Sequence, residues 1–342
     1  MTEVDNGIDR RTFLFGAAGS MLLVPSSAVS QPRQADAPLS IGTVIDWLPT
    51  TTETLIVATR PFDPGHRPTR PDDVAAFGWF VVGPIAGRER EELFRALTGS
   101  HVRFVVEGSR AFRRPGGRLG MGQYEGVHAL VFEEGDGAAI DRFMTRLAAS
   151  GGLATSVSGF DAVRLNWRAE NADWSAFVAR PRSDVLLIAT AENILAETLD
   201  RLRRGGGGRA LPEGLPEWSG VDKTAPLWAI RHYSRDDEEL DPTSPLTTSR
   251  RAANEPDTAA VGLAVTIAGD TSPRLTVHYY SGSPQALSIA QRFWDHPAEG
   301  LSPLFEVAPD RSVRISAAPT KPEGWTILWL ALLGALGHAI YL

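Results

Sequence analysis

Residues 127–167 read VHALVFEEGDGAAIDRFMTRLAASGGLATSVSGFDAVRLNW. Val127 to Phe132 is an apolar run bounded by glycine, the pattern of a strand. A helix is expected from Ala138 to Ala149, followed by two strands, Ala154 to Ser158 and Ala162 to Trp167. The stretch is therefore a β-α-β-β unit. Sliding the chain against itself by 150 positions brings it onto 277–315. Val127-His128 falls on Val277-His278, Arg142-Phe143 on Arg292-Phe293, and Ala148 on Ala298. Val157 falls on Val307, and Val163-Arg164 on Val313-Arg314. Self-similarity at a fixed offset is how a repeat shows itself in a sequence. The expectation is an α+β body of tandem β-α-β-β units, with mostly antiparallel sheets and helices packed on one face. A C-terminal transmembrane helix completes that expectation.

Working outward, Ile41 to Trp47 reads as a short helix and Thr54 to Thr59 as a strand. Helical periodicity recurs over 72–82 and 89–97, and a strand is expected at Val102 to Val106. Strands at Ser175 to Arg180 and Val185 to Thr190 flank a Pro-Arg-Ser-Asp turn. The helix Glu192 to Arg204 ends in arginines before Gly205, as helix C-termini prefer. Gly205 to Gly208 is a candidate boundary. Beyond it come strands at 227–233, 259–267, 274–280, 304–307 and 312–317, with a helix over 284–294. The implied organisation is a signal at 1–30, a linker at 31–38, halves at 39–210 and 211–320, and an anchor at 321–342.

The 342 residues are 43% apolar and 22% charged, ordinary values for a folded body. A net charge of −7 without a basic block argues against nucleic acid, whose phosphates need a dense basic footprint. With no cysteine, disulfides, thiolate nucleophiles and cysteine-held metal clusters are excluded. No Gly-x-Ser-x-Gly elbow, P-loop, His-Glu-x-x-His helix or EF-hand loop occurs, so no catalytic, cofactor or metal residue is assigned.

The two ends speak of location. Arg10, Arg11, Phe13 and Leu14 match a twin-arginine export signal. Ala28-Val29-Ser30 offers a cleavage site that would leave Gln31 first. From Trp325 to Leu342 no side chain carries a formal charge, and eighteen residues of helix span about 27 Å. Membrane lipid is thus the expected partner of 325–342, with the body on the periplasmic or extracytoplasmic side. His338 lies one turn from the end, where a neutral imidazole reaches the interface.

Leu48-Pro49-Thr50-Thr51-Thr52-Glu53, followed by an apolar strand, resembles the Leu-Pro-Ala-Asp-Thr-Glu-like opening of a set of uncharacterised exported bacterial proteins. Threonines stand here in place of Ala and Asp. The closing Gly337-His338-Ala339-Ile340-Tyr341-Leu342 is similar to their tails. The resemblance implies an envelope location and a domain type, and no chemistry.

Four arginines, Arg110, Arg113, Arg114 and Arg118, lie in one glycine-containing loop and match the geometry of an anion or lipid headgroup. The acidic run Asp236 to Glu239 with Asp241 lacks the ligand spacing of a calcium loop. His128 and His278, at matched positions, read as a shared structural feature, and Arg164 and Arg314 as partners of carboxylates across the sheet. Trp218, Trp228 and Trp294 read as core rather than as a sugar platform. The expected function is a non-catalytic interaction or scaffolding module of the cell envelope with a protein partner. The alternatives are an envelope hydrolase acting on wall or lipid, and a binder of lipid or a small ligand.

Overall fold

Thr54–Thr59 is buried over five consecutive positions, and a strand without polar alternation needs apolar cover on both sides. The computed structural model describes residues 38–59, 102–112, 123–149, 151–169, 172–232, 262–268, 273–280, 301–307, 312–320 and Leu328. In it this strand, β1, lies near the middle of a twelve-stranded sheet. The other strands are β2 (Val102–Phe112), β3 (Gln123–Phe132), β4 (Leu153–Val157), β5 (Phe160–Ala169), β6 (Ala172–Arg182) and β7 (Val185–Ala189). The second half supplies β8 (Leu227–His232), β9 (Gly262–Ala268), β10 (Arg274–Tyr280), β11 (Leu301–Val307) and β12 (Val313–Pro319). Three short α-helices are described: α1 (Ile41–Ile45), α2 (Gly137–Ala149) and α3 (Glu192–Arg203).

The sheet order is β11-β12-β10-β9-β8-β1-β2-β3-β7-β6-β5-β4, and neighbouring strands run antiparallel. The halves 39–210 and 211–320 thus feed one sheet, joined where β1 pairs with β8. From that join each side runs outward through three consecutive strands and then through its last strand, β7 or β12.

This corrects the expected α+β tandem. The chain is largely β, in one sheet. The unit 127–165 and its counterpart 277–315 are also placed differently: the hairpin β11-β12 adjoins β10, whereas β6 and β7 separate β4-β5 from β3. Most decisively, Val127 and Val277 belong to the apolar clusters of opposite sheet faces.

Nor are the helices confined to one side. On the first face, Ile140, Phe143 and Leu147 of α2 pack with Ile56, Leu130 and Val163. On the second, Val44 of α1 and Ile194, Leu195 and Leu199 of α3 pack with Leu55, Val106 and Leu187. Two-sided cover is why Val185–Ala189, VLLIA, is buried throughout.

The transmembrane helix is corrected too. Among the described residues no helix is long and apolar enough to cross a membrane. Leu328, within the segment expected to span, is fully buried in the first-face cluster, so its side chain is committed to the core. The rest of 325–342, the signal 1–30, and the expected helices over 72–82, 89–97 and 284–294 lie outside the described residues.

Local chemistry sets the turns. Ser158 (φ 48°) and Gly159 (φ 77°) both take positive φ between β4 and β5, the two-residue geometry that matches strand twist. Gly205 (φ 78°) closes α3, its N–H donating to the Leu202 carbonyl at 3.0 Å. The expected boundary at the glycine run is tied down. The buried Arg201 donates to the carbonyls of Asp46 (2.9 Å) and Gly208 (2.7 Å), joining the run to α1.

Candidate functional site

Alternation along the central strands places five buried polar side chains on the first face: Arg231 of β8, Thr54 of β1, Glu107 and Ser109 of β2, and His128 of β3. Thr54 is opposite both Arg231 and Ser109, and Glu107 is opposite His128, so they form a band crossing the join between the halves. His128 Nδ1 lies 3.5 Å from Glu107 Oε2. Ile56, opposite Glu107, and Ile188, opposite His128, are the cross-strand neighbours of the pair. Burial disfavours the charged form of each group. It raises Glu107 to about 7, against a smaller lowering by the Ser109 hydroxyl, and lowers His128 to about 4. Between those values the pair is a neutral imidazole beside a protonated carboxyl.

A second set lies on the other face at the ends of β8, β9, β10 and β12. Glu217, in the 3-10 turn Pro216–Gly220, is 1% exposed, and its Oε1 lies 2.7 Å from His232 Nδ1. Gly262 is opposite His232, and any side chain there would overlap the Glu217 carboxylate. Across β9, Tyr280 is opposite the same glycine. Its hydroxyl lies 2.9 Å from His278 Nδ1, and His278 Nε2 lies 2.6 Å from Ser312 Oγ. When Nδ1–H donates to Tyr280, Nε2 accepts the Ser312 proton, which is the tautomer a base needs. Two features work against acyl transfer. Ser312 is 3% exposed, and the Tyr280 hydroxyl stands where a carboxylate would stabilise an imidazolium.

The residues expected from sequence fall apart from these sets. Arg110 is in β2 rather than in a loop, and its Nη2 is bonded to Glu125 at 2.8 Å. Arg113, Arg114 and Arg118 lie outside the described residues, as do Arg10, Arg11, Phe13, Leu14, Trp294, His338 and the acidic run at 236–241. Trp218 and Trp228 are buried edge to face, with ring centroids 5.9 Å apart. His128 and His278 are not equivalent: their valine neighbours mark opposite faces. Arg164 donates to Asn166 Oδ1 (2.9 Å) and lies over the Phe177 ring, contacts that hold it without a carboxylate. Arg314 is exposed, opposite Glu306 and His278 in register. Among the described residues no group of three or more His, Asp or Glu side chains is arranged to hold a metal ion.

Sequence reasoning missed Glu107, Arg231, Glu217 and Ser312. Glu107 had a signal: it follows the apolar strand Val102 to Val106 directly. Glu217 had none, because its burial depends on Gly262, far along the chain. No family model, curated protein or solved structure matches the chain.

Proposed function

We propose that this is an exported cell-envelope protein whose body is a non-catalytic interaction or scaffolding module, offering the ends of its sheet to protein partners. One observation carries the reading. Among the described residues, the large apolar side chains left exposed are Leu153 (57%) and Leu304 (65%), and they sit on β4 and β11, the two outermost strands. A sheet edge recognises a partner through main-chain hydrogen bonds and alternate side chains. The twin-arginine pattern at Arg10 and Arg11 supports the location.

The test is a photoreactive side chain at 153 or 304 in the living cell. Discrete adducts are expected from these positions and none from the exposed Arg142 of α2. Equal yields at all three would overturn the reading.

The Ser312–His278–Tyr280 chain favours a second reading, a hydrolase of envelope esters or amides. A fluorophosphonate that labels Ser312, and fails to label His278→Ala, would support it. An unlabelled Ser312 would remove it.

A further inference from the structure

The two outer strands differ in how they resist pairing. β11 carries Pro303 and Glu306, and proline and charge are both common means of blunting a sheet edge. β4, Leu153–Val157, reads LATSV, with neither. Leu153, Ala154 and Ser156 are exposed, and among the described residues no strand pairs with the outer edge of β4.

We propose that β4 is a self-pairing edge, along which two copies of the chain join antiparallel about a two-fold axis through Thr155. This deepens the interaction reading and rests on it. The register follows from the β4-β5 turn. Val157 and Phe160 flank the two-residue turn and are paired, so their N–H and C=O groups face each other. The same holds at Thr155 with Ala162 and at Leu153 with Arg164. Ala154 and Ser156 therefore aim their N–H and C=O outward. Antiparallel self-pairing sets Ala154 against Ser156 of the second copy, each pair exchanging two hydrogen bonds, and Thr155 against itself. A two-fold contact closes on itself and ends growth at a dimer.

The side chains fit the same register. Leu153 is opposite Arg164, itself opposite Phe177 of the second-face cluster, so Leu153 is on that face. Val157 is in the cluster and Phe160 packs against it. The two-fold sets Leu153 of one copy beside Val157 of the other, next to Phe160, and covers the exposed leucine. With no charged side chain on β4, no like charges meet at the seam. The contact is short, which places it among transient interfaces.

The native chain has no cysteine, so one introduced thiol reports one position. In the full-length protein, Thr155→Cys is expected to give mostly a disulfide-linked dimer on mild oxidation, since directly opposed, non-hydrogen-bonded residues lie within bridging distance. Ser302→Cys, on β11, is expected to give less than a tenth of that. Adding Ser156→Pro removes an outward N–H and leaves the β4-β5 ladder intact. It should lower the Thr155→Cys yield at least tenfold at an unchanged melting temperature, and adding Leu153→Lys should do the same. A folded Thr155→Cys protein that yields no dimer overturns the proposal. If a photoreactive group at 153 then captures another protein, and Ser156→Pro abolishes the capture, self-pairing falls while the interaction reading stands. If neither 153 nor 304 captures anything, both fall.

Discussion

Glu107 and His128 face each other across β2 and β3 with 3.5 Å between Oε2 and Nδ1, both buried on a predominantly apolar sheet face. Their titrations oppose. Glu107 is raised from 4.5 to about 7, so the stability linked to it is fully present below pH 4.5 and lost as pH rises through 7. His128 is lowered from 6.5 to about 4, so the stability linked to it is present above pH 6.5 and lost as pH falls through 4. Each change is worth about 3 kcal/mol, at roughly 1.4 kcal/mol per unit.

The wild-type protein should therefore show nearly level stability between pH 4.5 and 6.5, where the two effects cancel. Glu107→Gln should leave only the effect of His128, and stability should fall on acidification below pH 6.5. His128→Leu should leave only the effect of Glu107, and stability should fall as pH rises from 4.5 to 7. Urea unfolding followed by circular dichroism across this range reads all three. Identical profiles would mean that neither group is shifted.

Leu328 is fully buried in the first-face cluster. Leu328→Ala should then destabilise the body by about 2–5 kcal/mol, the usual cost of emptying a leucine site. A residue immersed in lipid would leave the unfolding of the body unchanged.

Gly262 gives its side-chain space to the Glu217 carboxylate. Gly262→Ala should cost more than about 2 kcal/mol, as overpacking of a tight site does. The double variant with Glu217→Ala should recover part of that loss, a coupling that thermal melts of the four proteins of the cycle would measure.

Arg201 ties α3 to α1 through two carbonyls, those of Asp46 and Gly208. Arg201→Ala leaves both acceptors without this donor and should destabilise by about 2–4 kcal/mol. Arg201→Lys should restore only part, since an ammonium lacks the planar fork. Denaturant midpoints would show the order.

If Arg10 and Arg11 direct export, the Arg10→Lys, Arg11→Lys double variant should remain in the cytoplasm with Met1 retained, while the wild-type chain should start at Gln31. Cell fractionation and N-terminal sequencing decide this.

Much of the local structure was legible. β1 and β10 fall where β-branched and aromatic runs place them, and α3 ends where Gly205 stops it. The single sheet was not, because it depends on β1 meeting β8, a pairing no local pattern encodes. Val185–Ala189 does carry a signal, since a strand without polar alternation implies cover on both faces. The identity of Val127 and Val277 misled for a related reason, since a shift in sequence does not record which face a side chain takes. The site was least visible. Only the placement of Glu107 directly after an apolar strand hinted at it, while Arg231, Glu217 and Ser312 acquire their neighbours from distant segments.

The pairing of Ala58 with Leu227 closes a loop of roughly 170 residues, at an entropic cost of about 4.5 kcal/mol beyond a constant term. Topologies that depend on such distant closures fold slowly. Until β8 arrives, β1 is paired on one side only, with β2, and its other edge is open to wrong partners. If the Arg10-Arg11 pair directs export of the folded chain, as proposed, this slow closure would have to be complete before the chain leaves the cytoplasm.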